Sequence, residues 1–206
     1  MVNFLDHELI PQTKQEIGNW IHPRKKQGGY FVVVRQIFCM VDFLGAVYNG
    51  YPLSERVTDR NGRHIATSNK AIKFILKFFK PKKTYQVGVV SKLYKMYRHG
   101  LVHLYQPRTL KLNGNKRLLW FFYRGKRFDK KITVGTDLGK IIFFNVKHLK
   151  IIINGPSKKR YYLPICVDSL YEDFENAVQS YRNKLENTKT LQVKWRTTVN
   201  AICKPR

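Results

Sequence analysis

Arg98, His99 and His103 stand in the stretch RHGLVH, a guanidinium and two imidazoles among apolar neighbours. Leu93, Tyr94, Met96, Tyr97, Leu101, Leu104 and Tyr105 recur around them at three-, four- and seven-residue spacings, which predicts an amphipathic helix over 89–107. Pro107 ends it, and that proline pushes Gln106 out of the helical region. On a helix His99 and His103 share a face, where two imidazoles suit either metal ligation or proton transfer near neutral pH. The sequence offers no evident third ligand for a metal. Arg98 stays protonated, and its planar fork matches a phosphate. The alternative without chemistry is a set of hydrogen-bonded core groups, because buried polar side chains need partners.

Charge sets the surroundings of this stretch. Lys and Arg number 39 against 13 Asp and Glu, a formal net charge of +26. Such an excess concentrates polyanions, and nucleic acid is the default partner because neutralised phosphates release counterions. Phosphate-binding and dinucleotide glycine motifs, C-x-x-C pairs, G-x-S-x-G and H-E-x-x-H are all missing from the sequence. A two-metal nuclease needs several carboxylates, and these are scarce before residue 168, so metal-independent chemistry without a cofactor is expected. Cys39, Cys166 and Cys203 are too few and too far apart for a disulfide framework, and Cys39 reads as a buried thiol. Asp6 and Glu8 stand where a signal peptide needs positive charge, and Arg35, Gln36 and Asp42 interrupt the apolar run from Tyr30 to Tyr48. The expectation is a cytoplasmic protein with no membrane segment.

The elements that must position the candidate residues follow from periodicity and breakers. A first helix is predicted over Pro11 to Ile21, followed by a basic loop over Arg24 to Gly29. Tyr30 to Tyr48 has the length of a buried helix, despite its β-branched opening; Arg35 and Asp42, two turns apart, read as a structural pair. Residues 54–64 read as a polar loop. Ser68 or Asn69 caps a helix to Phe79 with Ile72, Phe74, Ile75 and Phe78 as its apolar stripe. After Pro107 the texture changes to short aromatic and β-branched runs, 118–123, 132–134, 141–146 and 149–153, separated by turn signals such as Asn113-Gly114 and Arg124-Gly125. These predict antiparallel hairpins. Asp168 to Leu185 reads as a helix whose acidic start and basic end complement the helix dipole. Leu191 to Trp195 reads as a strand or a loose tail. The expected fold is α+β and mainly helical. Four or five helices form a bundle in one domain, 1–206, with a basic β-rich insertion at 108–164 before the last long helix.

Between Arg108 and Arg160 there are 15 Lys and Arg against Asp129 and Asp137. Lys111, Lys116, Arg117, Arg124, Lys126, Arg127, Lys130, Lys131, Lys158, Lys159 and Arg160 are the candidate nucleic-acid contacts, interleaved with Trp120, Phe121, Phe143 and Phe144. Backbone-tracking cations beside stacking aromatics form a single-strand binding surface; simple core packing of the aromatics is the competing explanation. Lys126, Arg127, Lys130 and Lys131 fall in an expected hairpin turn, where side chains are solvated.

The pattern of arginine, polar residue, three residues and histidine at Arg98-His99-x-x-x-His103 resembles the R-x(4–6)-H signature of the HEPN superfamily of helical ribonucleases. The resemblance covers this one motif and a coarse helical order. It implies an endoribonuclease acting on single-stranded RNA without metal, with the 2′-hydroxyl attacking the adjacent phosphate. His103 would be the general acid or base, Arg98 would stabilise the phosphate charge, and His99 would orient His103 or touch the scissile phosphate. It also implies a homodimer, a toxin or anti-phage role, and an acidic inhibitor or antitoxin as partner. The competing classes are a non-catalytic basic nucleic-acid-binding protein, RNA favoured over DNA, and a ribonucleoprotein or defence-system subunit.

Overall fold

A computed structural model describes residues 30–50, 67–98, 107–136, 139–154 and 160–203, with single positions at 7, 11 and 15. Pro11 and Gln15 of the expected first helix are helical; the rest of it, the basic loop before residue 30 and the 54–64 loop lie outside the described residues, as do His99, His103, Lys158 and Lys159. Helix α1 spans Tyr30–Asn49, α2 Thr67–Phe78 and α3 Val87–Leu93, the last continuing into a π-helical turn at Tyr94–Arg98. Six strands follow: β1 Leu110–Leu112, β2 Lys116–Tyr123, β3 Phe128–Thr136, β4 Gly139–Lys147, β5 Ile152–Asn154 and β6 Arg160–Cys166. Helices α4, Val167–Glu186, and α5, Lys189–Cys203, complete the described chain.

Burial explains why the β-branched start of α1 is helical. Val33, Val34, Ile37, Val41, Leu44 and Val47 are all buried, a stripe repeating at helical spacing that outweighs local strand propensity. By length and composition α1 could cross a membrane; here its apolar side faces the core. Cys39 is exposed, which corrects the expectation of a buried thiol. It lies seven residues from exposed Val32, on the side of α1 turned away from the core. Asp42 accepts a hydrogen bond from the Tyr94 hydroxyl, tying α1 to the π-helical turn. Ser68 and Asn69 are inside the first turn of α2 and do not cap it, since the helix begins at Thr67.

The β region departs most from expectation. Strand order is β1-β2-β6-β5 in a four-stranded sheet, and β3-β4 forms a separate two-stranded ribbon. β2 and β6 run parallel, with Leu118 opposite Tyr161 and Phe122 opposite Ile165, so the sheet is mixed and not a run of antiparallel hairpins. β6 accommodates Pro164 because β5 pairs only with residues 160–162, so no ladder partner waits on that side for the missing N–H. Residues 147–150 form a turn, Lys150 N–H donating to Lys147, and the strand expected from Leu149 begins only at Ile152. The segment from Leu191 to Trp195 is helical within α5, with Leu191, Trp195 and Thr198 on its buried face. One core cluster takes side chains from α1, α2, α3 and α4 and also Leu118, Leu163 and Ile165 of the sheet, so the α+β class holds and the β part shares the main core. Around Tyr181 the rings of Tyr48, Phe74 and Phe78 meet at 5.3–6.1 Å between centroids, mostly edge to face.

Helices α1 and α2 cross closely at Gly45. A Cβ built there meets the Ala71 Cα and N at 2.7 Å and the Lys70 carbonyl carbon at 2.8 Å. Asn49 locks the crossing, its Nδ2 donating to Gly45 O at 2.7 Å and Lys70 O at 3.2 Å. Because the obstruction is backbone, Gly45→Ala is expected to lower stability by about 1–3 kcal/mol despite alanine's better helix propensity. A melting temperature equal to or above the parent's would show that the helices can separate at no cost.

Candidate nucleic-acid interface

The ribbon β3-β4 would be a poor binding platform unless its base were held. Arg124 Nε donates to both oxygens of Asp168, at 2.8 and 2.9 Å, and its Nη2 lies 2.7 Å from Oδ1. Gly125 N–H adds a 2.7 Å bond to the same carboxylate; its φ of 112° is a conformation glycine adopts without strain. Two residues on, Arg127 Nη2 donates to Asp173 Oδ1 at 2.5 Å, and the Tyr85 hydroxyl donates to Oδ2 at 2.6 Å. Arg124 and Arg127 are therefore anchors engaged with α4, and Arg127 is not the solvated turn residue expected from the sequence. Asp168 and Asp173 likewise do more than complement a helix dipole: they hold the ribbon to the core.

Behind Asp173 lies His148, which sequence reasoning missed because nothing near Lys147-His148-Leu149 separates a buried histidine from a surface one. Its Nδ1 accepts from the Cys166 N–H at 3.0 Å, and its Nε2 lies 3.3 Å from the Tyr85 hydroxyl. With Nδ1 accepting, the neutral ring carries its proton on Nε2 and donates to the Tyr85 oxygen, which passes its own hydrogen to Asp173. Burial, aided by the nearby Arg127 charge, depresses the His148 pKa to about 3. Burial also pushes the Asp173 carboxyl up, against the pull of Arg127 and Tyr85, and pushes the Cys166 thiol up. His148, Tyr85 and Asp173 are buried, so this part of the cluster positions the ribbon.

On the ribbon, Ile132, Val134, Ile141, Phe143 and Val146 turn inward against Phe121, Tyr123 and Tyr162, with Phe121 and Phe143 stacked at 4.5 Å. The outer face carries Phe144, 63% exposed, and Ile142, 44% exposed, paired across the strands with Lys131 and Thr133. Lys147 sits 5.5 Å over the ring of Phe128. Lys126, Lys130, Lys131, Lys140 and Lys147 are all exposed.

A second cationic feature crosses the four-stranded sheet. Lys111 pairs with Arg117, and Arg117 with Arg160, so three exposed cations lie side by side on β1, β2 and β6. Like charges directly opposite one another destabilise a sheet. Lys116 points to the other face, where its ammonium lies 5.8 Å over the Tyr161 ring. Of the remaining candidates, Arg98 ends the π-helical turn. His99 and His103 lie outside the described residues, so Arg98 is the one member of the expected catalytic set with a described position. Lys158 and Lys159 also lie outside them.

His148 gives the anchor a pH signature. In the unfolded chain it takes a proton below its ordinary value of 6.5, but in the fold only near 3. The unfolded state therefore binds the extra proton between these limits, and stability falls as pH drops from about 6.5 toward 3. Asp173, whose carboxyl is raised, works in the opposite sense but is common to both proteins in a comparison with His148→Gln. The variant is expected to be less stable at pH 7 and to lose less on going to pH 4; parallel melting-temperature profiles would remove His148 from the acid response.

No family model, curated protein or solved structure matches the chain, so its functional reading rests on this geometry and on the motif at Arg98.

Proposed function

We propose that the protein binds single-stranded nucleic acid, RNA before DNA, through the outer face of the ribbon and the cation row beside it. The observation that carries this reading is the row Lys111–Arg117–Arg160, where three neighbouring strands place positive charge at one register. The arrangement costs folding energy that a bound phosphate backbone would return. Phe144 and Ile142 amid exposed lysines add a surface on which bases stack while ammonium groups reach phosphates. RNA stands first because of the resemblance at Arg98-His99-x-x-x-His103. Arg124 and Arg127 belong to the scaffold of this surface.

The test separates binding from folding. Replacing Arg117 and Arg160 together with Gln is expected to weaken binding to a single-stranded RNA at least tenfold at low salt. The slope of log affinity against log salt should become shallower by about 0.7 for each phosphate that is no longer neutralised. Because the substitutions relieve repulsion, the melting temperature should stay or rise. Arg127→Gln, by contrast, is expected to lower it by breaking the Asp173 pair. A double variant that binds as tightly as the parent removes the row from the interface; a parent that binds no polyanion at low salt removes the reading altogether.

A second reading keeps the chain as a metal-independent endoribonuclease, and with it come a homodimer, a toxin or anti-phage role and an acidic inhibitor. It is supported by the π-helical turn Tyr94–Arg98, a departure from α-helix of the kind often found at functional sites, which leads directly into the motif. On this reading the protein cleaves single-stranded RNA in EDTA and leaves 2′,3′-cyclic phosphate ends. His103→Ala should abolish cleavage at unchanged RNA affinity and melting temperature. Lowered stability with no cleavage by the parent would instead assign His103 to the core.

A further inference from the structure

Between the four-stranded sheet and the ribbon lies a cavity of about 750 Å³ that neither the anchor nor the outer face uses. β2 is the reason it exists. β1 pairs with β2 only as far as Leu118, so beyond that residue the outer edge of β2 has no strand from β1 beside it. The cavity wraps this edge. Phe31, Trp120 and Phe122 form one wall, Phe31 edge to face on the other two and all three ring centroids 5.1–5.6 Å apart. Phe143 and Val134 of the ribbon form another, and Arg160 stands among the lining residues.

Two properties of the lining narrow the ligand. Its aromatic rings offer flat, polarisable faces, and Phe31 is 40% exposed although it is large and apolar. Its cation is the last member of the row Lys111–Arg117–Arg160, on the same sheet face as Leu119 and Tyr162, which also line the cavity. A ligand that fits has a flat aromatic part attached to an anionic chain, and the volume is in the range of small-molecule sites. Resting on the nucleic-acid reading above, we infer that this cavity receives an unpaired base of the bound strand. The phosphates flanking that base run over Arg160 and Arg117. The outer ribbon face then supplies sequence-tolerant stacking, and the cavity supplies a place where one base is taken out of solvent.

The test uses the full chain and two labelled strands of equal length, an oligouridylate and its abasic ribose-phosphate counterpart. With base insertion the parent prefers the strand with bases by about tenfold or more, the scale of stacking one base on aromatic side chains. Val134→Phe, which fills the cavity from the ribbon side, should bring the oligouridylate down toward the affinity of the abasic strand. Phe31→Ala, which removes a wall at the start of α1, should do the same and serves where Val134→Phe fails to fold. Equal binding of both strands by the parent overturns the cavity proposal while leaving charge-driven nucleic-acid binding standing. A folded variant that keeps the full preference for bases overturns it too. No binding of either strand fails the nucleic-acid reading itself, and this proposal with it.

Discussion

The Asp173 carboxylate, 4% exposed, is the point on which the β region depends. An ionised carboxylate in such a place persists only with strong partners. Asp173 has two, Arg127 from the base of the ribbon and Tyr85 from the segment before α3, while Tyr85 reaches His148 and His148 reaches the backbone of β6. Three parts of the chain, distant in sequence, are thereby fixed to α4 and to the end of β6 from which it starts. The network is directional. Cys166 N–H donates to His148, His148 to Tyr85 and Tyr85 to Asp173, each group supplying the hydrogen the next lacks. Such a chain tolerates little rearrangement, because moving one member leaves another buried and unpaired.

Rigidity at the base gives the exposed part its use. A two-stranded ribbon alone is marginal in water. Here the inner face is stacked on Phe121 and Tyr162, and both arginines at its start are clamped, Arg124 by Asp168 and Arg127 by Asp173. The outer face is then free to carry Phe144, Ile142 and lysines, residues that would be a liability in a strand pair held only by its own ladder. Two arginines are engaged in building the base of the ribbon, and the exposed cations of the β region include the lysines of the ribbon and the row across β1, β2 and β6. Net charge alone does not reveal this division of labour.

Much of the helical half was legible in the sequence. A long apolar run free of internal breakers made α1 a buried helix, the stripe Phe74, Ile75 and Phe78 marked α2, and acidic and basic ends framed α4 almost to the residue. These are local patterns: a residue and its neighbours three or four positions away fix which face is buried, whatever the remaining chain does. Turn signals also placed β2 and β4 within two residues of their limits, while β3 was recognised only over its middle, 132–134.

Pairing, exposure and partnership were decided by the tertiary structure. Consecutive strands pair as hairpins by default, and nothing in the stretch RYYLPIC announces a parallel partner for β2; its proline argues against a central strand until one sees how short β5 is. Arg127 looks no different in sequence from Lys126 or Lys130, yet it alone of the three meets a buried carboxylate brought in from α4. Cys39 sits in an apolar run, and only the packing of α1 shows that its turn of the helix faces out. The same holds for the row Lys111–Arg117–Arg160 and for the cavity beside it: both arise from strands far apart in the chain, and a local pattern carries no information about which distant strand will lie next to it. What the sequence determined by itself was which segments bury which faces and that the chain carries far more positive charge than its fold requires. Where that charge is paired, and where it stays exposed, follows from contacts made only when the chain is folded.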